Sequence, residues 1–173
     1  MFLSPDKIIS KLKITKGDTI ADFGCGSGGY LSLLSNAVGN EGKVYAIDIN
    51  KDLLERLETE ARKYGYDNLE FGVGNVLEES FLADKSCNLV ILSNILHQVG
   101  NPVKVILESK RVLKQNGFIL IVDWKDHFKN KKIGPHPDHF ISEEKVLAIL
   151  AKNNFEVIRH FPAGDYHYAL LAG

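Results

Sequence analysis

A glycine-rich segment between an apolar stretch and a helical pattern constrains this chain more than any other feature. The apolar stretch Thr19–Phe23 predicts a β-strand, and residues 30–34 open the helical pattern. The turn between them, residues 24–29, reads Gly-Cys-Gly-Ser-Gly-Gly. Glycines leave the backbone bare for a ligand, and the start of the helix offers N–H groups without partners. The segment therefore predicts a ligand-binding turn at the carboxyl end of a strand.

The glycine spacing fits two kinds of ligand, and the carboxylate of Asp22 distinguishes them. Gly24, Gly26 and Gly29 have the spacing of a dinucleotide fingerprint, whose ligand places a pyrophosphate near the strand end. Asp22 stands at that end, where it would repel a second anion and attract a cation. Asp22 can also cap the turn by accepting from backbone N–H groups, and the two roles are compatible. The carboxylate favours a cationic ligand without phosphate.

The segment from Asp22 to Gly28 resembles motif I of the class I S-adenosylmethionine (SAM)-dependent methyltransferases. SAM carries an ammonium and a sulfonium and has no phosphate, which agrees with the presence of Asp22. The resemblance implies a set of cofactor-binding residues in this segment: Asp22, Gly24, Cys25, Gly26, Ser27 and Gly28.

Asp48 follows Gly28 by twenty residues, at the end of a strand predicted over residues 43–49. A carboxylate at this spacing can accept from both hydroxyls of an adenosine ribose, which SAM and NAD share. Asp48 and Ile49 are therefore predicted to bind the cofactor. Asn50 is better placed than Asp48 to cap the helix that follows.

Asn75 and Val76 follow a third predicted strand, residues 69–74, and are expected near the adenine. The family often has Asp at the position of Asn75. The Asn75 carbonyl can still accept from the adenine amino group, but Gly74-Asn75 is equally a turn pair. Both interpretations stay open.

Ser93, Asn94 and His97 follow a nearly continuous apolar run that predicts a strand buried on both faces. This stretch resembles the motif IV region, where the end of strand four borders cofactor and substrate. Ser93 and Asn94 are expected at the cofactor. His97 is the first candidate for a general base, against the alternative of a histidine that packs on the cofactor or core. The weaker candidates are Tyr168, His167 and His136.

Strands alternating with helices predict a Rossmann-like, doubly wound α/β fold with a mostly parallel sheet. Polar residues fall at the predicted carboxyl ends of five strands, where such sheets bind ligands: Asp22, Asp48, Asn75, Ser93 and Asp123. The resemblance implies seven strands and an antiparallel C-terminal strand, in a single domain over residues 1–173.

Residues 125–140 break the periodic pattern and contain two prolines and four lysines. We expect a loop over the strand ends that serves as a lid for the acceptor. His136, Asp138 and His139, with His127 or Asp126, resemble a metal cluster but give no defined ligand geometry, so no metal is expected.

The composition is that of an ordinary globular protein, with a net charge of −1 and two cysteines. It gives no drive towards nucleic acid or membrane surfaces and no disulfide framework, so a cytoplasmic protein is expected. Among methyltransferases, the sequence resembles the branch of ubiquinone/menaquinone C-methyltransferases and arsenite methyltransferases. Cys25 and Cys87 are too few for arsenite chemistry.

We therefore expect methyl transfer from SAM to a small-molecule acceptor, without excluding a macromolecular acceptor or a homo-oligomer. Two alternatives stay open: an NAD(P)-binding oxidoreductase, and a SAM-binding protein without catalysis.

Overall fold

The computed structural model describes residues 3–125 and 134–173. Within them, seven strands form one sheet in the order β3-β2-β1-β4-β5-β7-β6. The strands are β1 (Thr19–Phe23), β2 (Lys43–Asp48), β3 (Leu69–Val73), β4 (Cys87–Ser93), β5 (Leu113–Trp124), β6 (Val157–Pro162) and β7 (His167–Ala172). The helices are α1 (Pro5–Ile9), α2 (Leu31–Val38), α3 (Lys51–Tyr64), α4 (Pro102–Val112) and α5 (Glu143–Lys152). In the described part of the chain, 3₁₀ turns lie at Leu96–Gln98 and Pro137–His139.

The sheet confirms the predicted class, a mostly parallel, doubly wound α/β fold. Strands β1 to β5 pair in parallel, and β7 inserts antiparallel between β5 and β6. The strand order reverses at β1, which pairs with β2 on one side and β4 on the other. The loops that follow β1 and β4 diverge there and open a crevice at the carboxyl ends of the strands.

Two apolar layers cover the faces of the sheet, because neighbouring residues of a strand point to opposite faces. Phe23 and Leu92 bury into the layer formed by α4 and α5. Ile20 and Ile91 bury into the layer formed by α2 and α3. Burial of these side chains against the two helix layers thus determines which residues at the strand ends face the crevice.

Local sequence signals set the start and the end of α3, the helix beside the crevice. The Asn50 side chain accepts from Leu53 N and caps the start of α3, and Gly65 ends the helix in the left-handed conformation. The cap therefore sits two residues beyond Asp48, as the sequence predicts.

The sequence pattern predicts a first helix that includes Leu12, a turn at Asn116-Gly117 and a strand that begins at Phe155, and the structure differs at all three places. Helix α1 ends at Ile9 and does not continue to Leu12. The predicted turn at Asn116-Gly117 lies inside β5, at an irregularity in its pairing with β4. A Cβ at Gly117 would lie 3.1 Å from the Cys87 carbonyl oxygen, so the close approach of the two backbones explains this glycine. Strand β6 begins at Val157, because Phe155 is buried in the core beside α5.

No helix within residues 3–125 and 134–173 is long and apolar enough to cross a membrane.

Candidate functional site

A cavity of about 350 Å³ lies where the loops after β1, β2, β3 and β4 meet. We call it the loop cavity. It is lined by Gly24, Gly26, Asp48, Ile49, Gly74, Asn75, Val76, Leu77, Ile95, Gln98, Val99 and Gly100. Six of these residues belong to the predicted cofactor set, so the fold brings distant parts of the sequence to one hollow.

The glycine loop presents bare backbone to this cavity. Gly24 and Gly26 both have positive φ angles, +70° and +50°, which favour glycine. A Cβ at Gly24 would lie 2.7 Å from the Ile95 side chain, whereas a Cβ at Gly26 would meet only the Gly24 carbonyl oxygen, 3.9 Å away. The space above Gly26 is therefore open to a ligand.

Asp48 joins the end of β2 to the glycine loop. Its Oδ2 accepts from Gly26 N at 3.0 Å, and its Oδ1 accepts from Asn50 N at 2.9 Å. A carboxylate has about four acceptor positions, so each oxygen can still accept from a ligand hydroxyl. The neighbouring Ile49 side chain is 71% exposed and gives the same wall an apolar surface.

Asp22 is buried at the end of β1, with 1% of its surface exposed, and its Oδ2 has no hydrogen-bond partner among the described residues. Burial, with a smaller contribution from the charge of Asp48, raises the pKa of Asp22 to about 7. A buried carboxylate without a cation is electrostatically costly. Asp22 has no cationic partner among the described residues, and the ammonium or sulfonium of SAM would supply one. The residues at the end of β1 therefore fit that cofactor.

Asn75 takes the conformation of a turn. Its Oδ1 accepts from Leu77 N at 3.1 Å, and its Nδ2 donates to Glu78 Oε1 at 3.4 Å. The turn interpretation thus describes the observed contacts. The carbonyl oxygen keeps a second lone pair, and the contact with adenine stays a prediction. Val76 is buried and also lines the loop cavity.

The other six predicted cofactor residues do not line the loop cavity: Asp22, Cys25, Ser27, Gly28, Ser93 and Asn94. Ser27 and Gly28 line a separate hollow between α2 and α3, and a Cβ at Gly28 would lie 2.8 Å from the Leu57 side chain. Gly28 therefore permits close packing against α3. Cys25 is buried, and burial raises the pKa of its thiol well above the ordinary value.

Ser93 and Asn94 stand at the end of β4. The Ser93 hydroxyl donates to the Tyr30 hydroxyl at 3.2 Å. Asn94 has a φ of +56°, and its Oδ1 is buried without a partner in the described part of the chain. Neither residue lines the loop cavity, so their contact with the cofactor stays a prediction.

His97 contacts the carboxylate of Asp123, and the sequence did not reveal this contact. Its Nδ1 lies 2.8 Å from Asp123 Oδ1, and its backbone N donates to Asp123 Oδ2 at 3.3 Å. The backbone N of Trp124 also donates to Asp123 Oδ1, at 2.8 Å. The parallel pairing of β4 with β5, which sets Ser93 beside Val122, brings the two residues together. Asp123 was visible in the sequence only as a strand-end carboxylate.

His167, a weaker base candidate, is buried on β7 beside the same carboxylate. Its ring lies 4.2 Å from that of Trp124, and neither of its nitrogens has a partner within residues 3–125 and 134–173. Burial lowers the pKa of His167 to about 4, against an opposing contribution from Asp123. The imidazole is neutral at pH 7.

The two other candidates are placed differently. Tyr168 is buried in the core, with 1% of its surface exposed. His136 is exposed and lies 3.5 Å from Asp138. The described residues contain no group of three potential ligands that could hold a metal ion. His127 and Asp126, the remaining members of the suggested metal cluster, lie outside the described residues.

A second cavity, of about 310 Å³, contains His97, and we call it the His97 cavity. It shares Gln98, Val99 and Gly100 with the loop cavity. Its other wall includes residues 138–141, which belong to the predicted lid. Residues 126–133 of that segment lie outside the described residues, so the lid stays a prediction.

Comparisons with known proteins agree with this geometry. A family model described as "Methyltransferase domain" matches residues 14–160. A demethylmenaquinone methyltransferase of Bacillus pumilus is 30% identical over 118 residues, which are 68% of this chain and 50% of that protein. The chain thus spans about half the length of the curated relatives it matches.

Solved structures match over nearly the whole chain. A SAM-dependent methyltransferase from Aquifex aeolicus is 30% identical, with a TM-score of 0.89, over 99% of this chain and 89% of that one. A putative type 11 methyltransferase from Sulfolobus solfataricus is 27% identical, with a TM-score of 0.75, over 99% and 92%.

Proposed function

The chain belongs to the class I SAM-dependent methyltransferases, and we propose that it transfers the methyl group of SAM to a small-molecule acceptor. When bound, SAM supplies a methyl group on a sulfonium and leaves as a neutral thioether. Such a leaving group allows much of the rate to come from positioning and exclusion of water. The residues around the loop cavity would supply that positioning.

The observation that carries the proposal is the open glycine loop between two carboxylates. Asp48 keeps lone pairs for the ribose hydroxyls, and the space above Gly26 admits a ligand. Asp22 is a buried carboxylate that lacks a cation. A dinucleotide would bring further negative charge to this carboxylate, whereas SAM brings positive charge. The electrostatics thus favour SAM over NAD(P).

The apolar wall supports the adenine end of the same site. Ile49 and Val76 line the loop cavity beside Asp48, and Asn75 adds a polar edge. We assign the adenine to this wall and the methionine end to the side of Asp22. In this assignment Ser27 and Gly28 shape the loop through their packing beside α3.

The small-molecule class of acceptor rests on the relatives. The curated relatives are named demethylmenaquinone methyltransferases, after a small-molecule acceptor. The proposal extends that class, and not that particular acceptor, to this chain.

A binding and turnover experiment tests the proposal. Thermal shift with SAM, S-adenosylhomocysteine (SAH), NAD and NADP should show stabilisation by the first two only, because binding to the folded state raises its stability. Incubation of SAM with a panel of candidate acceptors, monitored as SAH release, then separates an enzyme from a SAM-binding protein without catalysis. Tight NAD binding with no SAM binding would contradict the proposal.

A further inference from the structure

The His97 cavity has no part in the proposed cofactor site, yet the two cavities share a wall. Residues 98–100 line both, so a molecule in the His97 cavity would lie directly across this wall from the loop cavity. The opposite side carries polar groups, namely Asp138, His139 and Lys145. With a volume of about 310 Å³, the hollow is within the size range of small-molecule sites.

Asp123 determines which nitrogen of His97 carries the proton. A carboxylate only accepts hydrogen bonds, and Asp123 already accepts from the backbone N–H groups of Trp124 and His97. The hydrogen between Asp123 Oδ1 and His97 Nδ1, 2.8 Å apart, therefore belongs to the imidazole. In the neutral ring Nε2 then carries the free lone pair.

The surroundings of Asp123 favour its pairing with His97 over a pairing with His167. Asp123 is fully buried and the His97 side chain is 9% exposed, so water screens their interaction little. His167 lies beside the same carboxylate, but it stays neutral at pH 7 because burial lowers its pKa to about 4. Asp123 therefore bonds to the ring of His97, whereas neither nitrogen of His167 has a partner among the described residues.

We propose that the His97 cavity binds the methyl acceptor, and that Asp123 is a positioning residue that makes His97 Nε2 the base for the acceptor's proton. The inference rests on the proposed function and deepens it. The proton moves from the acceptor to Nε2, and its electron pair stays on the acceptor. The acceptor then bonds to the methyl carbon as the carbon–sulfur bond breaks, with that pair left on sulfur.

The need for a base narrows the class of acceptor. A neutral amine attacks with its own lone pair and needs no base beforehand, and a carboxylic acid is already ionised at neutral pH. An aliphatic alcohol is a far weaker acid than imidazolium. A base with the strength of imidazole is best matched to a weakly acidic O–H group, as in a phenol or an enol. We therefore assign a small molecule of this class to the cavity.

The tautomer can be measured without any acceptor. In ¹⁵N-histidine NMR of the whole chain with SAH, assigned by the loss of one signal in His97→Gln, the neutral ring of His97 should be protonated at Nδ1. Asp123→Asn should shift a substantial fraction to the Nε2–H form, while His136→Gln, an exposed control, should change nothing at His97. A wild-type ring protonated at Nε2 would overturn the inference.

Ligand binding tests the cavity itself. With SAH-loaded protein, saturation-transfer NMR should detect phenol and catechol more strongly than anisole, which lacks the O–H group. His97→Gln should weaken the phenol and catechol signals at least severalfold while leaving SAH affinity unchanged. No binding of either probe, or equal binding to His97→Gln, would overturn the assignment.

Different results would contradict the proposed function and the inference about the His97 cavity. Absence of SAM and SAH binding would remove the proposed function. Normal SAH binding with the wrong tautomer, or without binding of either probe, would remove only the inference about the His97 cavity.

Discussion

Asp22 and Asp123 occupy equivalent places in the fold but opposite chemical situations. Each is a buried carboxylate near the carboxyl end of a central strand, with 1% and 0% of its surface exposed. Asp123 accepts from two backbone N–H groups and from His97. Asp22 has an oxygen without a partner in the described part of the chain, and burial raises its pKa to about 7.

The comparison indicates that residues of the chain satisfy the Asp123 carboxylate, whereas a ligand is needed to satisfy the Asp22 carboxylate. The His97–Asp123 pair is satisfied by residues from β5 and the turn after β4. The Asp22 carboxylate stands next to a second carboxylate, Asp48, and an open glycine loop. Buried groups with perturbed pKa values cluster at functional sites, and we propose that Asp22 is such a group, with the cationic part of SAM as its partner.

The largest expected effect comes from filling the space above Gly26. Gly26→Val should abolish SAM binding, by about a hundredfold or more, because its side chain would occupy the open part of the loop cavity. Gly65→Val is the matched control, since Gly65 also has a positive φ and open surroundings but ends α3. Calorimetry should show SAM binding by the control and not by Gly26→Val. Equal binding by both would place the cofactor elsewhere.

Removing the ribose acceptor should have the next largest effect. Asp48→Ala should weaken SAM binding more than tenfold, since a hydrogen bond to a charged group is worth about 1.5–3 kcal/mol. Asp52→Ala, at an exposed carboxylate in the first turn of α3, serves as the control. An unchanged SAM affinity in folded Asp48→Ala would remove this carboxylate from the site.

Neutralising the two compared carboxylates should change stability in opposite directions. The raised pKa of Asp22 means that the folded state favours its neutral form, so wild-type stability falls as pH rises from about 4 to about 7. Asp22→Asn should remove this loss and raise the Tm at pH 8, while weakening SAM binding about tenfold. A lower Tm in Asp22→Asn would contradict the view that the carboxylate is uncompensated.

Asp123→Asn should instead destabilise the protein by about 2 kcal/mol, because it replaces a carboxylate that accepts three hydrogen bonds. SAM affinity should stay within about threefold, since the Asp123 carboxylate is already engaged by His97 and Trp124 and does not depend on a ligand for its hydrogen bonds. Thermal unfolding and calorimetry on the same sample check both parts. Loss of SAM binding with unchanged Tm would reverse the roles assigned to the two carboxylates.

Most of the fold was predictable because its signals are local. The apolar run of β4 and the cap at Asn50 each act over a few residues, and the resemblance added the antiparallel β7. The predicted turn at Asn116-Gly117 was wrong, because the glycine there serves a close approach between β4 and β5. Pairing between strands decided that feature, and local sequence does not record it.

The candidate site was predictable only in part, for the same reason. Strand ends identified Asp22 and Asp48, because the carboxyl ends of parallel strands meet at one edge. Local spacing could not show that Gly28 packs against Leu57 of α3. Nor could it show that Asp123 bonds to His97, 26 residues away, since the register of β4 against β5 sets that contact.

Calorimetry of SAM binding at several pH values tests most directly whether the Asp22 carboxylate pairs with a positive charge of the bound SAM. Because the pKa of Asp22 is raised to about 7, its carboxyl is largely neutral at pH 6 and must lose its proton to pair with a bound cation. Titration at pH 6 in two buffers of different ionisation enthalpy should show proton release on binding, and wild-type affinity should rise towards pH 7.5. Asp22→Asn should bind weakly and release no proton. Wild-type binding without proton release, at an affinity equal to that of Asp22→Asn, would contradict this account.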